Sequence, residues 1–239
     1  MPDYTVPVVA NLVCGSPARN HDFDFARIRL HEALYAAGNI RTDVWNNYDA
    51  SDAIESGDAL VSYTSQVPVG DAECEALRRF LENGGRWFAL HASNSVRDNA
   101  HLPGILGSRF ITHPTYRSFP VSITSTSDPL VEGIAPFDVD DEIYVIDQSN
   151  DIEVLLHTRW GGEALGGRQI DEGMRPLMYR RHVGNGGVLY LALGHANRPF
   201  DKARPDLPDQ PDRRGPWEMP VYKELIRRGI DWAAGRTPV

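Results

Sequence analysis

Short apolar runs alternate with segments of helical period along the first half of the chain. Val6 to Val13 predicts a first strand, interrupted near its start by Pro7 and closed by the turn residues Cys14-Gly15-Ser16-Pro17. From Asp24, the residues Phe25, Ile28, Leu30, Leu34 and Tyr35 recur near helical spacing, and Gly38-Asn39 supplies the stop. Ile40 to Trp45 predicts a second strand, Ser51 to Gly57 a short helix, and Asp58 to Tyr63 a third strand. Asp71 to Asn83 predicts a helix with Cys74, Leu77, Phe80 and Leu81 on its apolar face. Trp87-Phe88-Ala89-Leu90 then stands between Gly84-Gly85 and small polar residues, the pattern of a strand buried on both faces.

The second half is patterned differently. Leu102 to Phe110 predicts a short helix with glycine breaks, Thr112-His113-Pro114-Thr115 a loop, and Tyr116 to Thr124 a strand. Asp128 to Ile134 predicts a helical turn, Asp141 to Val145 an extended segment and Ile152 to His157 a strand. Pro176 to His182 and Gly187 to Leu193 pair as a hairpin around Gly184-Asn185-Gly186. Ala196 to Gly215 is rich in Pro, Asp and Arg without periodicity, and Tyr222 to Ala234 closes with Leu225, Ile226, Ile230 and Ala233 on the apolar face of a helix. The expected fold is therefore α/β: a flavodoxin-like, doubly wound, mostly parallel sheet flanked by helices, with extra antiparallel strands in the second half and one domain over 1–239.

Composition narrows the partners. With 41% hydrophobic and 24% charged residues among 239, the chain carries enough apolar material for a large core. A net charge of -9 with no basic block argues against nucleic acid. Two cysteines, Cys14 and Cys74, suggest neither a disulfide framework nor a thiolate zinc site. The start lacks a signal-peptide pattern and no segment is apolar enough to span a membrane, so the expectation is a cytoplasmic protein.

His91 stands where the buried strand Trp87–Leu90 must end, and ligand crevices of open α/β sheets lie outside the carboxyl ends of strands. A core histidine bonded to backbone is the competing expectation. Gly194-His195 ends a later strand in the same way, with a glycine that allows close backbone approach. His21 and His113 fall in loops, and Asp141-Glu142 lies in an extended segment. Imidazoles and carboxylates together suit proton transfer, or the binding of a divalent metal such as zinc.

These pieces in order resemble the trehalose-utilisation (ThuA-like) family, which shares the architecture of class I glutamine amidotransferases. The carriers are His21-Asp22-Phe23, Leu90-His91-Ala92, His113-Pro114, Asp141-Glu142-x-Tyr144 and Leu193-Gly194-His195. Two positions depart from the family pattern: Ile143 replaces a common Trp, and Arg175-Pro176 a common His-Pro. In amidotransferases a nucleophilic cysteine occupies the turn where this chain has His91, so glutaminase activity is not expected.

The resemblance implies an enzyme of carbohydrate catabolism acting on a sugar or keto-sugar. His91, His195 and Glu142 are then the catalytic candidates, and His21, His91, Glu142 and His195 the candidate metal ligands. His21, His113, Asp141, Tyr144, Tyr63, Tyr116 and Arg117 are candidates for substrate binding. Each has a plainer explanation: His21-Asp22 as a helix cap, His113 as an exposed loop residue, Glu142 and Tyr144 as the solvated face of a strand. A non-catalytic sugar-binding module is the alternative, and a homodimer completed by the 196–215 loop a third possibility. His31, His101, His157 and His182 are expected to be structural or exposed.

Overall fold

The computed structural model describes residues 6–17, 20–96, 99–198 and 212–238. Strand β1 (Val8–Gly15) leads into α1 (Phe23–Ala36), followed by β2 (Ile40–Trp45), α2 (Ser51–Ser56), β3 (Ala59–Thr64), α3 (Asp71–Glu82) and β4 (Arg86–Leu90). A 3-10 turn over His91–Asn94 leads on to α4 (Leu102–Leu106) and to β5 (Ser108–Thr112), β6 (Arg117–Ile123), β7 (Phe137–Asp141) and β8 (Val145–Gln148). Then come the long strands β9 (Glu153–Ala164) and β10 (Arg168–Val183), β11 (Gly186–Leu191) and α5 (Pro220–Ala233).

Nine strands form one sheet in the order β2-β1-β3-β4-β11-β10-β9-β6-β7, while β5 and β8 pair separately. The five strands from β2 to β11 run parallel, and the remainder are joined antiparallel. This is the α/β architecture expected from the alternating elements, a mostly parallel sheet flanked by helices and extended by antiparallel strands. Every residue of β3 and β11 is buried, as is the case for strands covered on both faces. Helix α1 packs with α5, and α3 with α2 and α4, so the helices gather in two groups. No described helix is long and apolar enough to cross a membrane.

Several local expectations are corrected. The helix predicted over 102–110 stops at Leu106, because Gly107 adopts φ +90 and Ser108–Thr112 continues as β5. Helix α1 buries Ala26, Leu30 and Leu34, whereas Ile28 and Tyr35, expected on its apolar face, are exposed. The segment 141–145 is not one strand: Asp141 closes β7 and Val145 opens β8. The outer halves of β9 and β10 carry Gly161, Gly162 and Gly173, and Gly166 and Gly167 form the turn between them, which erases the apolar alternation by which strands are recognised. The loop expected over 196–215 lies largely outside the described residues.

The β10–β11 hairpin anchors the antiparallel extension to the parallel core. Gly184 opens its two-residue loop at φ +58, and Gly186 passes so close to the α3–β4 turn that an added Cβ would lie 2.0 Å from the Gly85 carbonyl oxygen. That contact and the one with the Leu81 carbonyl oxygen at 2.7 Å cannot relax, since both are backbone. Gly186→Ala should lower the unfolding free energy by roughly 1–3 kcal/mol in urea titrations. Gly104→Ala in α4, where a Cβ meets nothing within 4 Å, should leave it unchanged or slightly raised.

Candidate functional site

Each functional side chain leaves the sheet at the end of an element. His21 follows β1 and directly precedes Asp22, whose carboxylate caps α1 by accepting from the Phe25 N–H at 3.1 Å. Capping and site placement are thus joint consequences of one turn. His91 follows β4 with φ +46, a left-handed conformation that strains a residue bearing a Cβ. Glu142 and Tyr144 lie between β7 and β8, His113 follows β5, and His195 follows β11 through Gly194. Gly194 adopts φ +128, and a Cβ there would sit 2.4 Å from the Tyr222 hydroxyl oxygen, so only glycine fits.

These ends converge. One nitrogen from each of His21, His91 and His195 and a carboxylate oxygen of Glu142 all lie within 4.8 Å of one another, and all four residues are buried. His91 Nε2 stands 3.0 Å from His21 Nε2, 3.0 Å from the Tyr144 hydroxyl and 3.7 Å from Glu142 Oε2. His195 Nδ1 is 3.2 Å from Glu142 Oε2, and His113 Nδ1 is 3.7 Å from Oε1. Glu142 is therefore surrounded by imidazoles. The solvated strand face expected for Glu142 and Tyr144 is not what forms, since both are buried.

Backbone and amide oxygens fix which nitrogens face inward. His91 Nδ1 lies 2.7 Å from the Ala192 carbonyl oxygen, which can only accept, so Nδ1 carries the proton and Nε2 presents its lone pair to the cluster. His195 Nε2 lies 2.9 Å from Asn197 Oδ1, which likewise leaves Nδ1 facing Glu142. Such outward hydrogen bonds are the usual means of orienting imidazole ligands of a metal ion. Three imidazoles and one carboxylate make a donor set suited to zinc or a similar divalent cation, so these residues fit one.

Burial pushes the His91 imidazole down to about 3, which keeps it neutral at physiological pH. Burial also acts on His195 and Glu142, but their mutual attraction outweighs it, holding the His195 imidazole above and the Glu142 carboxyl well below their ordinary values. Without a cation the two form an ion pair.

Asp141 serves the backbone rather than the cavity. Its carboxylate accepts from the N–H groups of Gly194 at 2.7 Å, His195 at 3.2 Å and Glu142 at 2.7 Å, and it is fully buried. Burial pushes its pKa up to about 7 despite those donors. Tyr63 is equally committed: its hydroxyl donates to the Gly194 carbonyl at 2.9 Å, joined there by the Trp217 indole at 2.8 Å. Tyr190 donates to the His91 carbonyl at 2.6 Å. Tyr116 sets its ring 5.6 Å from that of His195 and gives its hydroxyl to the Asp140 carbonyl, while Arg117 is exposed at the start of β6. His31, His101 and His182 are exposed, and His157 meets Thr124 away from the site.

A cavity of about 180 Å³ opens over the cluster, lined by His21, His113, Glu142, Tyr144 and His195 among others. His91 does not line it. Fully buried directly after β4, it lies behind the lining residues His21 and Tyr144, which its Nε2 contacts. Sequence reasoning missed the anchors Trp217 and Asn197 and the lining residues Asn20, Ser65, Gln66, Ser95 and Phe110, which are dispersed polar or aromatic positions with no motif of their own.

The sequence profile of the family described as ThuA, trehalose utilisation, matches residues 12–205, most of the chain. The chain belongs to the ThuA family. Among solved structures, a ThuA-like protein of Parabacteroides merdae superposes with a TM-score of 0.73 at 16% identity, covering 98% of this chain and 93% of the other. A ThuA-like protein of Bacteroides uniformis gives 0.70 at 18% identity over 98% and 95%. The β-galactosidase of Rahnella sp. R3 shares the fold over 96% of this chain but only 31% of its own, with a TM-score of 0.60 at 16% identity. No curated protein matches the sequence. The two departures of this ThuA chain from the family pattern fall outside the cavity lining: Ile143 is packed in the core, and Arg175 donates to the Trp160 carbonyl.

The ion pair sets a pH signature. His195, with a raised folded pKa, contributes stability that is complete below its unfolded value near 6.5 and lost as pH climbs through the folded value. Glu142, with a lowered one, contributes above its unfolded value near 4.5 and loses that contribution in acid. In chelator-treated protein, the melting-temperature margin of wild type over Glu142→Gln should be widest between these two values and shrink on the alkaline side. A pH-independent margin would contradict the pairing.

Proposed function

We propose that this chain is an enzyme of carbohydrate catabolism that transforms a sugar or keto-sugar at the His21–His91–Glu142–His195 cluster. The observation that carries this is the convergence of those four buried residues, each with one donor atom within 4.8 Å of the others, at the base of a polar cavity. The family's description, trehalose utilisation, supplies the carbohydrate class. A cavity of about 180 Å³ falls below the roughly 300–1,000 Å³ of sites for drug-sized ligands and suits a single sugar ring.

Glu142 and His195 both line the cavity and share a proton across 3.2 Å, which equips them as the acid–base pair: the carboxylate accepts a proton from the sugar and the imidazolium returns one. In place of that acid–base pair, with the shared proton displaced, His21, His91, Glu142 and His195 would hold a divalent cation such as zinc. Bound there, the cation would polarise a carbonyl or hydroxyl oxygen of the sugar. Tyr144 and His113 border the ring from one side, their own rings 5.9 Å apart. His91, buried behind the lining, keeps its lone pair aimed at the others. Glutaminase chemistry has no thiol to use: both cysteines lie outside the cavity lining, and burial pushes the Cys14 thiol up to about 12.

Elemental analysis of protein purified without chelator should find about one zinc-class ion per chain, and His91→Ala and His195→Ala should lose it. Turnover assays on glucose, trehalose and their ring-keto derivatives should show activity that falls at least ~10²-fold in both variants, with circular dichroism unchanged. Retained activity without metal would leave Glu142 and His195 working as acid and base alone. Sugar binding with no turnover by the wild type would identify a binding module instead.

A further inference from the structure

Three described residues other than glycine have left-handed backbones: Asn39, Gln66 and His91. Asn39 occupies the turn after α1 and is a residue type that enters this region at little cost. Gln66 is not of that type, yet it holds φ +55. It follows β3 as His91 follows β4, and these strands are neighbours, with Tyr63 opposite Leu90. The Gln66 N–H donates to the Ser95 carbonyl at 2.8 Å, which ties it to the turn opened by His91. The two strained positions therefore lie beyond the carboxyl ends of neighbouring strands, linked through the turn at Ser95, and Gln66 is in the cavity wall.

Glycine at position 66 would make the same bend without strain, so the glutamine contributes only through its side chain. Gln66 is half-buried and belongs to the cavity lining, and its side chain makes no hydrogen bond to any described residue. Beside it, Asn20 Nδ2 donates to Ser65 Oγ at 3.2 Å, while Asn20 Oδ1 is buried and has no partner. A serine hydroxyl can donate or accept, so either orientation of the Asn20 amide leaves one polar end open. Asn20, Ser65 and Gln66 thus form one contiguous wall with two amides to satisfy, distinct from the histidine cluster.

We propose that this wall is a hydroxyl-binding subsite, in which the Asn20 and Gln66 amides take an adjacent pair of hydroxyls on the part of the sugar that does not react. An amide both donates and accepts, as each hydroxyl requires, so a neutral vicinal diol matches the wall. The inference rests on the carbohydrate reading of the site. It makes Gln66 a specificity-determining residue whose backbone strain is retained for ligand binding.

The test is Gln66→Gly, which separates the two contributions by sign. Its melting temperature should rise by roughly 2–4 °C as strain is released, while its affinity for glucose, trehalose or their ring-keto derivatives, measured calorimetrically, should fall at least fivefold. Gln66→Asn, which keeps an amide and tolerates the left-handed backbone, should recover most of that affinity. Asn20→Ala should weaken binding in the same direction. Wild-type-like affinity in Gln66→Gly, or a lowered melting temperature, would overturn the subsite alone. A wild type that binds none of these sugars would overturn the carbohydrate reading and the subsite with it.

Discussion

One buried carboxylate holds the site together. Asp141 ends β7, on the far antiparallel edge of the sheet, yet its oxygens accept backbone N–H groups from Gly194 and His195 beyond β11 and from its own neighbour Glu142. Three N–H groups converge on one carboxyl, and none of these donors has water as an alternative once buried. The consequence is positional: wherever Gly194-His195 goes, Glu142 goes with it. The ion pair of Glu142 with His195, and the contacts of Glu142 with His91 and His113, depend on that tether.

A second set of ties fixes the other side. Tyr63 and Trp217 both donate to the Gly194 carbonyl, Tyr222 to the Leu193 carbonyl, and Tyr190 to the carbonyl of His91. Aromatic side chains suit this work because they fill the space between strand ends while their polar tips satisfy main chain that could not otherwise be buried. His91 is thereby locked in a strained turn, fully enclosed. The imidazole is held behind the residues that line the cavity, within reach of His21, Tyr144 and Glu142.

His91 and His195 were recognisable by position, since each follows directly on an apolar strand. Asp141, Tyr63 and Arg117 could not be sorted from true cavity residues in the same way. A carboxylate that accepts backbone N–H groups and one that faces a ligand look alike in a sequence, and only the partner distinguishes them. Asn20, Ser65 and Gln66 left no trace at all, because polar residues after a strand are ordinary; their meaning comes from an unpaired amide and a positive φ, both products of the folded backbone.

Local patterning by itself determined the parallel core, the main helices and the strand ends at which His91 and His195 stand, because burial on both faces and helical periodicity are short-range properties of the chain. Tertiary structure alone decided that His21, His91, Glu142 and His195 share one site, that His91 lies behind the cavity lining, and that Asp141 is a tether. Those facts depend on contacts between residues 51 to 174 positions apart within the cluster, and on the long strands β9 and β10 that carry the antiparallel edge back beside the parallel core. No periodicity encodes such distances; closure of the sheet does.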